Sequence, residues 1–83
     1  PEAQSRQVMA NIRTIVEAAG ASMQDVLKIT CYLTDVGYYP AYSKVRSECF
    51  PSNPPASTTV IISALVRPEF VVEVEAVVRV PGG

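Results

Sequence analysis

The chain contains no histidine, and this absence excludes several kinds of active site. Histidine is the most frequent general base at neutral pH, and it is also a common proton shuttle and metal ligand. The sequence therefore excludes Ser-His-Asp and Cys-His catalysis and a histidine-ligated zinc site. Any chemistry must use carboxylate, guanidinium, hydroxyl, thiol or backbone groups.

Cysteine is almost as scarce, since the chain has only Cys31 and Cys49. Two cysteines are too few for a disulfide framework, and their spacing does not fit a CxxC redox or zinc motif. Both fall in apolar registers, which favours buried and inert thiols over a nucleophile. We therefore expect reduced thiols and a cytoplasmic protein.

Neither an excess of one charge nor a long hydrophobic run is present. Seven basic and eight acidic residues give a net charge of -1, which supplies no positive field to hold a phosphate backbone. No glycine-rich phosphate loop occurs, and no apolar stretch approaches the roughly 18 residues of a membrane span. We expect a soluble protein with no nucleic-acid partner and no membrane partner.

The residues that are present indicate one small folded domain over residues 1–83. The chain is 48% hydrophobic and 18% charged, which is too apolar for disorder, and its length suits a single domain. Helical spacing predicts a first helix over residues 3–19, ended by Gly20. The predicted buried face of this helix comprises Val8, Ile12, Ile15 and Ala19, widened by Met9 and Val16.

Further elements follow this helix in a regular order. The segment from Ser22 to Asp25 has the form of a capping box. A strand follows, with a predicted buried face of Leu27, Ile29, Cys31 and Leu33. A second helix with Pro40 in its first turn is predicted up to Cys49. Residues 58–66 and 70–80 have strand character, and the break at Arg67 predicts that they form a terminal β-hairpin.

The order helix-strand-helix-strand-strand predicts an α+β fold, in which two helices pack on one face of the sheet. Three strands leave the sheet edges unpaired, and the face away from the helices mixes charged with apolar residues. We therefore expect that more chain before Pro1, or a partner subunit, completes the sheet.

Glu73 and Glu75 are the first candidates for chemistry, because they point to one face of a strand about 7 Å apart. Two carboxylates that are so close can split their pKa values and supply an acid and a base. The alternative is that both are solvated beside Arg79, which shares their parity.

Other polar groups have both a functional and a structural interpretation. The hydroxyls of Ser57, Thr58 and Thr59 lie at a loop-to-strand junction, where they could line a site or simply satisfy strand and turn preferences. Arg67 could bind a carboxylate or remain solvated. A tyrosine cluster at the start of the second helix could stack on a ligand or pack in a core or interface; its members are Tyr38, Tyr39 and Tyr42.

Three segments resemble the RidA/YjgF family, whose members are also labelled L-PSP endoribonuclease-like. They are QSRQVMANIRTIVEAAGAS from Gln4, DVLKITCYLTD from Asp25, and EVEA from Glu73. The resemblance runs through the whole chain in order. It implies a chorismate-mutase-like fold that assembles as a homo-oligomer, a trimer, with ligand clefts between subunits.

The resemblance also implies an activity. Active members hydrolyse enamines and imines to 2-keto acids and ammonia, without metal or cofactor, as 2-iminobutanoate and 2-iminopropanoate deaminases. An arginine holds the substrate carboxylate and a glutamate positions water, and Glu73 matches that glutamate. The ribonuclease label has no support here, because the chain lacks a basic patch and histidine.

Two positions depart from the family pattern, and the family's N-terminal strands would precede Pro1. Ser57 stands where the family has the arginine, and Ser43 stands where an asparagine is frequent. A serine cannot form the bidentate pair that anchors a carboxylate, so efficient deamination is not expected from Ser57.

Two hypotheses follow from the resemblance and its departures. In the first, the protein binds a small metabolite of the imine or 2-keto acid type in an inter-subunit cleft, with Glu73 as the catalytic residue and Ser57, Thr58 and Arg67 as substrate-binding residues. In the second, it is a non-catalytic interaction or regulatory protein that retains only the fold.

Overall fold

The predicted order of helices and strands is confirmed by a computed structural model that describes residues 1–82. The elements are α1 (Glu2–Ala18), β1 (Val26–Leu33), α2 (Tyr39–Cys49), β2 (Ala56–Ile61) and β3 (Val72–Val78). Short 3-10 turns at Met23–Asp25 and Val36–Tyr38 precede β1 and α2. The fold is α+β, and no helix in the described range is both long and apolar enough to cross a bilayer.

The three strands form a mixed sheet in the order β2–β1–β3. β2 runs parallel to β1, with Ser57 opposite Ile29. β3 runs antiparallel to β1, with Glu73 opposite Tyr32. The parallel pair is connected through α2, as parallel strands require a crossover.

The predicted terminal β-hairpin is wrong, because β2 and β3 occupy opposite edges of the sheet. The connecting segment 62–71 is longer than the roughly 2–5 residues of most hairpin loops, and it passes the end of β1. At one side Ile62 N donates to Leu33 O at 2.8 Å, and at the other Thr34 N donates to Val71 O at 3.2 Å. The central strand therefore separates the two strands that follow it in sequence.

The hydrophobic core lies between the helices and one face of the sheet. The sheet contributes Ile29, Cys31 and Leu33, which alternate along β1 as predicted. The helices contribute mainly Met9, Val16, Tyr42 and Val45. Leu27, predicted to join this face, is 55% exposed because a bulge between Val26 and Lys28 shifts the register and buries Val26 instead.

The buried face of α1 also differs from the prediction. Ser5, Met9 and Val16 are buried, whereas Ile15 is 69% exposed. The helical spacing was correct, but the stripe begins at Ser5, whose hydroxyl is satisfied by donating to Pro1 O at 2.8 Å. A polar residue inside the core thus hid the start of the stripe.

The ends of the first two elements follow the sequence signals. Gly20 adopts the left-handed conformation expected after a helix, with φ of 85°. The capping box is also formed, because Ser22 N donates to the Asp25 carboxylate at 2.8 Å.

A surface ion-pair network connects the two helices. Arg6 of α1 donates to Glu48 of α2 at 2.7 Å and to Glu2 at 3.1 Å. These hydrogen bonds from Arg6 are the main reason that the pKa values of both carboxyl groups lie below their ordinary value. All three side chains are about half exposed, so the network contributes little to stability.

We expect the Arg6→Gln substitution to raise the pKa of Glu48 toward 4.5, the ordinary value, as measured by NMR titration of the side-chain carboxyl carbon. A carboxyl whose pKa is lowered by folding stabilises the fold above its unfolded pKa, and this contribution disappears as the pH falls through the folded pKa. The variant should therefore lose less stability on acidification. Arg13→Gln, on the exposed side of the same helix, is the control, and an equal shift there would contradict the assignment.

Candidate functional site

The face of the sheet away from the helices carries most of the candidate residues. Strand register places Thr30 and Tyr32 of β1 on this face, beside Thr58 and Val60 of β2 and beside Glu73, Glu75 and Val77 of β3. Val60 is 38% exposed and Val77 is 57% exposed. We call this surface the open face, and it combines carboxylates and hydroxyls with exposed valine side chains.

The two carboxylates of the open face have different surroundings. Tyr32 donates its hydroxyl proton to Glu75 at 2.6 Å, and this hydrogen bond is the main reason that the pKa of Tyr32 is raised. Glu73 lies opposite Tyr32 in the strand register, yet its carboxylate has no hydrogen bond or ion pair with any residue in 1–82. Of the two carboxylates, Glu73 is therefore free to bind a ligand or a water molecule.

Ser57 and Glu73 are not brought together within one chain. Ser57 pairs with Ile29, a core residue, and so it faces the helices at the outer edge of the sheet. Glu73 pairs with Tyr32 on the opposite face. Thr58, one residue further along β2, does share the open face with Glu73, although β1 lies between their strands.

Arg67 lies apart from the other candidates. It belongs to the connection 62–71 and faces Glu69 at 3.9 Å, with both side chains more than half exposed. Among residues 1–82 it makes no hydrogen bond or ion pair with Ser57, Thr58 or Glu73. The arrangement is that of a solvated ion pair, and the proposed ligand contact of Arg67 stays a prediction.

The structure adds Arg46 of α2, which the sequence analysis missed. Its guanidinium donates to Ser57 Oγ at 3.1 Å, to Ser43 Oγ at 3.2 Å and to the Tyr39 hydroxyl at 3.4 Å. The hydrogen bond from Arg46 is the main reason that the pKa of Tyr39 is lowered. The guanidinium carbon also lies 5.6 Å from the Tyr42 ring centre, within the distance of a cation-π contact.

A sequence signal for this cluster did exist. Tyr39, Tyr42, Ser43 and Arg46 recur at i, i+3, i+4 and i+7, which places them along one side of a helix. The contact between α2 and Ser57 depends on the crossover into β2, so helical spacing alone could not have revealed it. We call the guanidinium and its hydroxyl partners Tyr39, Ser43 and Ser57 the Arg46 cluster.

Two neutral buried groups lie beneath the Arg46 cluster. Tyr42 is fully buried, and its hydroxyl, beside Cys31 and Arg46, has no hydrogen-bond partner. Burial raises the pKa of Tyr42 and raises that of Cys31 to about 11. Burial also raises the pKa of Cys49. Neither thiol is therefore an activated nucleophile, and both are free cysteines.

An apolar groove of about 510 Å³ lies beside the edge strand β3. Its floor and walls come from α1, from the connection 62–71 and from β3; the lining includes Val8, Ile12, Ile15, Leu65, Val66, Phe70 and Glu73. The Gln4 side chain fixes the connection, because it donates to Glu69 O at 2.7 Å and accepts from Val71 N at 2.8 Å. The groove explains where the exposed Ile15 lies.

Comparison with known proteins gives the family. The endoribonuclease L-PSP family matches residues 1–80. A RutC family protein from Pyrococcus horikoshii is 40% identical over 74 residues, which cover 89% of this chain and 58% of that protein.

Solved structures agree with this assignment. RidA from the Antarctic bacterium Psychrobacter sp. PAMC 21119 is 36% identical with a TM-score of 0.88, over 96% of this chain and 64% of that one. A YjgF family member from Mycobacterium tuberculosis is 29% identical with a TM-score of 0.84, over 87% of this chain and 61% of that one. The chain thus spans less than two thirds of each relative. The match over nearly all of its residues shows that the chain belongs to the endoribonuclease L-PSP family, which includes the RidA and YjgF proteins.

Proposed function

We propose that the protein binds a small 2-keto acid or the corresponding imine in a cleft between subunits, where Glu73 positions a water molecule. The observation that supports this proposal is the free Glu73 carboxylate on the open face, next to a Glu75 that Tyr32 already holds. A carboxylate without a protein partner is available to orient water and accept its proton.

The reaction that Glu73 would assist is the hydrolysis of an imine. Water adds its oxygen to the carbon of the C=N bond while a proton passes to nitrogen, which gives a carbinolamine. The C–N bond then breaks, ammonia leaves with the electron pair and a proton, and a 2-keto acid remains. Ser57 carries no charge, so it cannot itself hold the substrate carboxylate, and the rate depends on another group that supplies a positive charge.

A second copy of the chain is part of this proposal. Ser57 and Glu73 face opposite sides of the sheet, so a ligand of a few atoms can reach both types of residue only if they come from different subunits. The exposed Val60 and Val77 on the open face support the same conclusion, because apolar side chains beside carboxylates are typical of a surface that another subunit covers. We propose a trimer, as the resemblance implies.

A cytoplasmic location belongs to the same proposal. Cys31 and Cys49 are free thiols, and reduced cysteines are typical of the cytoplasm.

We expect native mass spectrometry of the purified protein to show a trimer, and isothermal titration to show binding of 2-oxobutanoate. Val77→Asp should dissociate the trimer and abolish this binding, because a carboxylate introduced on the open face opposes burial against another subunit. Val66→Asp is the matched control, since Val66 is 91% exposed on the connection 62–71, and it should leave both properties unchanged. A monomer that binds no 2-oxobutanoate would instead indicate the non-catalytic interaction or regulatory protein.

A further inference from the structure

We infer that Arg46 of α2 holds the carboxylate of the ligand, in place of an arginine at position 57. This inference rests on the proposed function, since it names the group that would bind the acid end of the same 2-keto acid or imine. It assigns a role to a residue that the resemblance does not include.

The first argument is the position of the charge. Arg46 Nη1 donates to Ser57 Oγ at 3.1 Å, so the guanidinium stands against the residue that occupies the arginine position of the family pattern. The two residues reach this point from different elements, because Arg46 comes from α2 and Ser57 from the edge strand β2. A guanidinium is therefore present at this edge of the sheet although position 57 is a serine.

The second argument is the absence of a competing anion. The ion pairs in residues 1–82 involve Arg6, Lys44 and Arg67, and none involves Arg46. Its partners are neutral hydroxyls and aromatic rings. A partly buried guanidinium with only neutral partners keeps its capacity for a charge-assisted pair with a carboxylate.

The third argument is that the cluster is organised before any ligand arrives. The rings of Tyr39 and Tyr42 lie 5.8 and 5.6 Å from the guanidinium carbon, and Ser43 Oγ fixes the planar group at 3.2 Å. A side chain that is already ordered loses less conformational entropy on binding. The Tyr42 hydroxyl, buried beside the guanidinium without a partner, is a further polar group that a bound carboxylate or its water could satisfy.

The serine at position 57 is then explained by its neighbour. Two guanidinium groups at this point would repel each other, whereas the small Ser57 side chain leaves space for Arg46 and accepts a hydrogen bond from it. A bound carboxylate would receive bonds from the remaining Arg46 N–H groups. The ligand class is a small monocarboxylate that carries a keto or imino group at the adjacent carbon.

The test is a titration of the purified protein with pyruvate, acetate and methyl pyruvate. We expect Arg46→Gln to weaken pyruvate binding about 10- to 100-fold, as the loss of a charge-assisted hydrogen bond requires, and Arg46→Lys to weaken it less. Methyl pyruvate, which has no carboxylate, should bind weakly to wild type and to Arg46→Gln alike. Arg13→Gln removes an exposed arginine from α1 and should leave pyruvate binding unchanged.

Two further measurements protect the interpretation. Circular dichroism melting separates lost binding from lost folding, because Arg46 packs on Tyr42. The relocated pair Arg46→Ser with Ser57→Arg should regain much of the pyruvate affinity that Arg46→Gln loses. In wild type, the Arg46 Nε–H resonance should shift on addition of pyruvate.

The outcomes separate the inference from the proposed function. If pyruvate binds equally to wild type and to folded Arg46→Gln, the inference is wrong and the proposed function survives. If acetate binds at Arg46 as tightly as pyruvate, the carboxylate site is confirmed but selection of a 2-keto acid, and with it the proposed function, is wrong. If wild type binds neither acid and the Arg46 resonance does not move, both are overturned.

Discussion

Replacing Leu33 with alanine is expected to lower the free energy of unfolding by about 2–5 kcal/mol. Leu33 is fully buried, and it lies in the central strand between Ile61 of β2 and Val72 of β3. Its truncation removes core contacts on both sides and leaves a cavity. A domain of this size has about 4–12 kcal/mol of total stability, so the variant loses a large part of it.

Leu27→Ala is the matched control, because it makes the same truncation in the same strand at a residue that is 55% exposed. It should cost less than about 1 kcal/mol, since most of its side chain is already in contact with water. Urea unfolding of both variants, followed by circular dichroism, measures the difference. Equal costs for the two substitutions would contradict the burial pattern and the bulge that causes it.

The sequence predicted the elements better than their arrangement. Alternation along β1 correctly identified Ile29, Cys31 and Leu33 as core residues, because side chains in a strand point to opposite faces in turn. The same period cannot show which strand is the neighbour, so residues after β2 were paired with β3 rather than on either side of β1. In α1 the spacing was right, but a buried serine at position 5 shifted the true stripe away from Ile15.

The candidate site shows the same limit more strongly. Parity placed Glu73 and Glu75 on one face, and the register confirms it. Parity could not show that Tyr32 holds Glu75, because that hydrogen bond depends on the antiparallel partner. Arg46 was missed for a related reason, since its contact with Ser57 exists only after α2 has crossed over the sheet.

The difference between the two glutamates leads to a prediction about hydrolysis. Glu73→Gln is expected to reduce kcat for 2-iminobutanoate by about 100-fold or more, because an amide of the same size cannot accept a proton from water. KM should change little, since the carboxylate of the substrate is held by Arg46 and not by Glu73. The rate is measured from the loss of imine generated in situ, with the remainder trapped by semicarbazide.

Glu75→Gln is the control for this prediction, as it removes the neighbouring carboxylate from the same face of the same strand. It should leave kcat close to wild type while it lowers the pKa of Tyr32 toward 10.0, because the Glu75 hydrogen bond is the main cause of the raised value. The tyrosine titration thus proves that the control substitution changed the open face. Equal losses of kcat in both variants would show that the face acts through its total charge, whereas a loss confined to Glu73→Gln would identify the free carboxylate as the group that activates water.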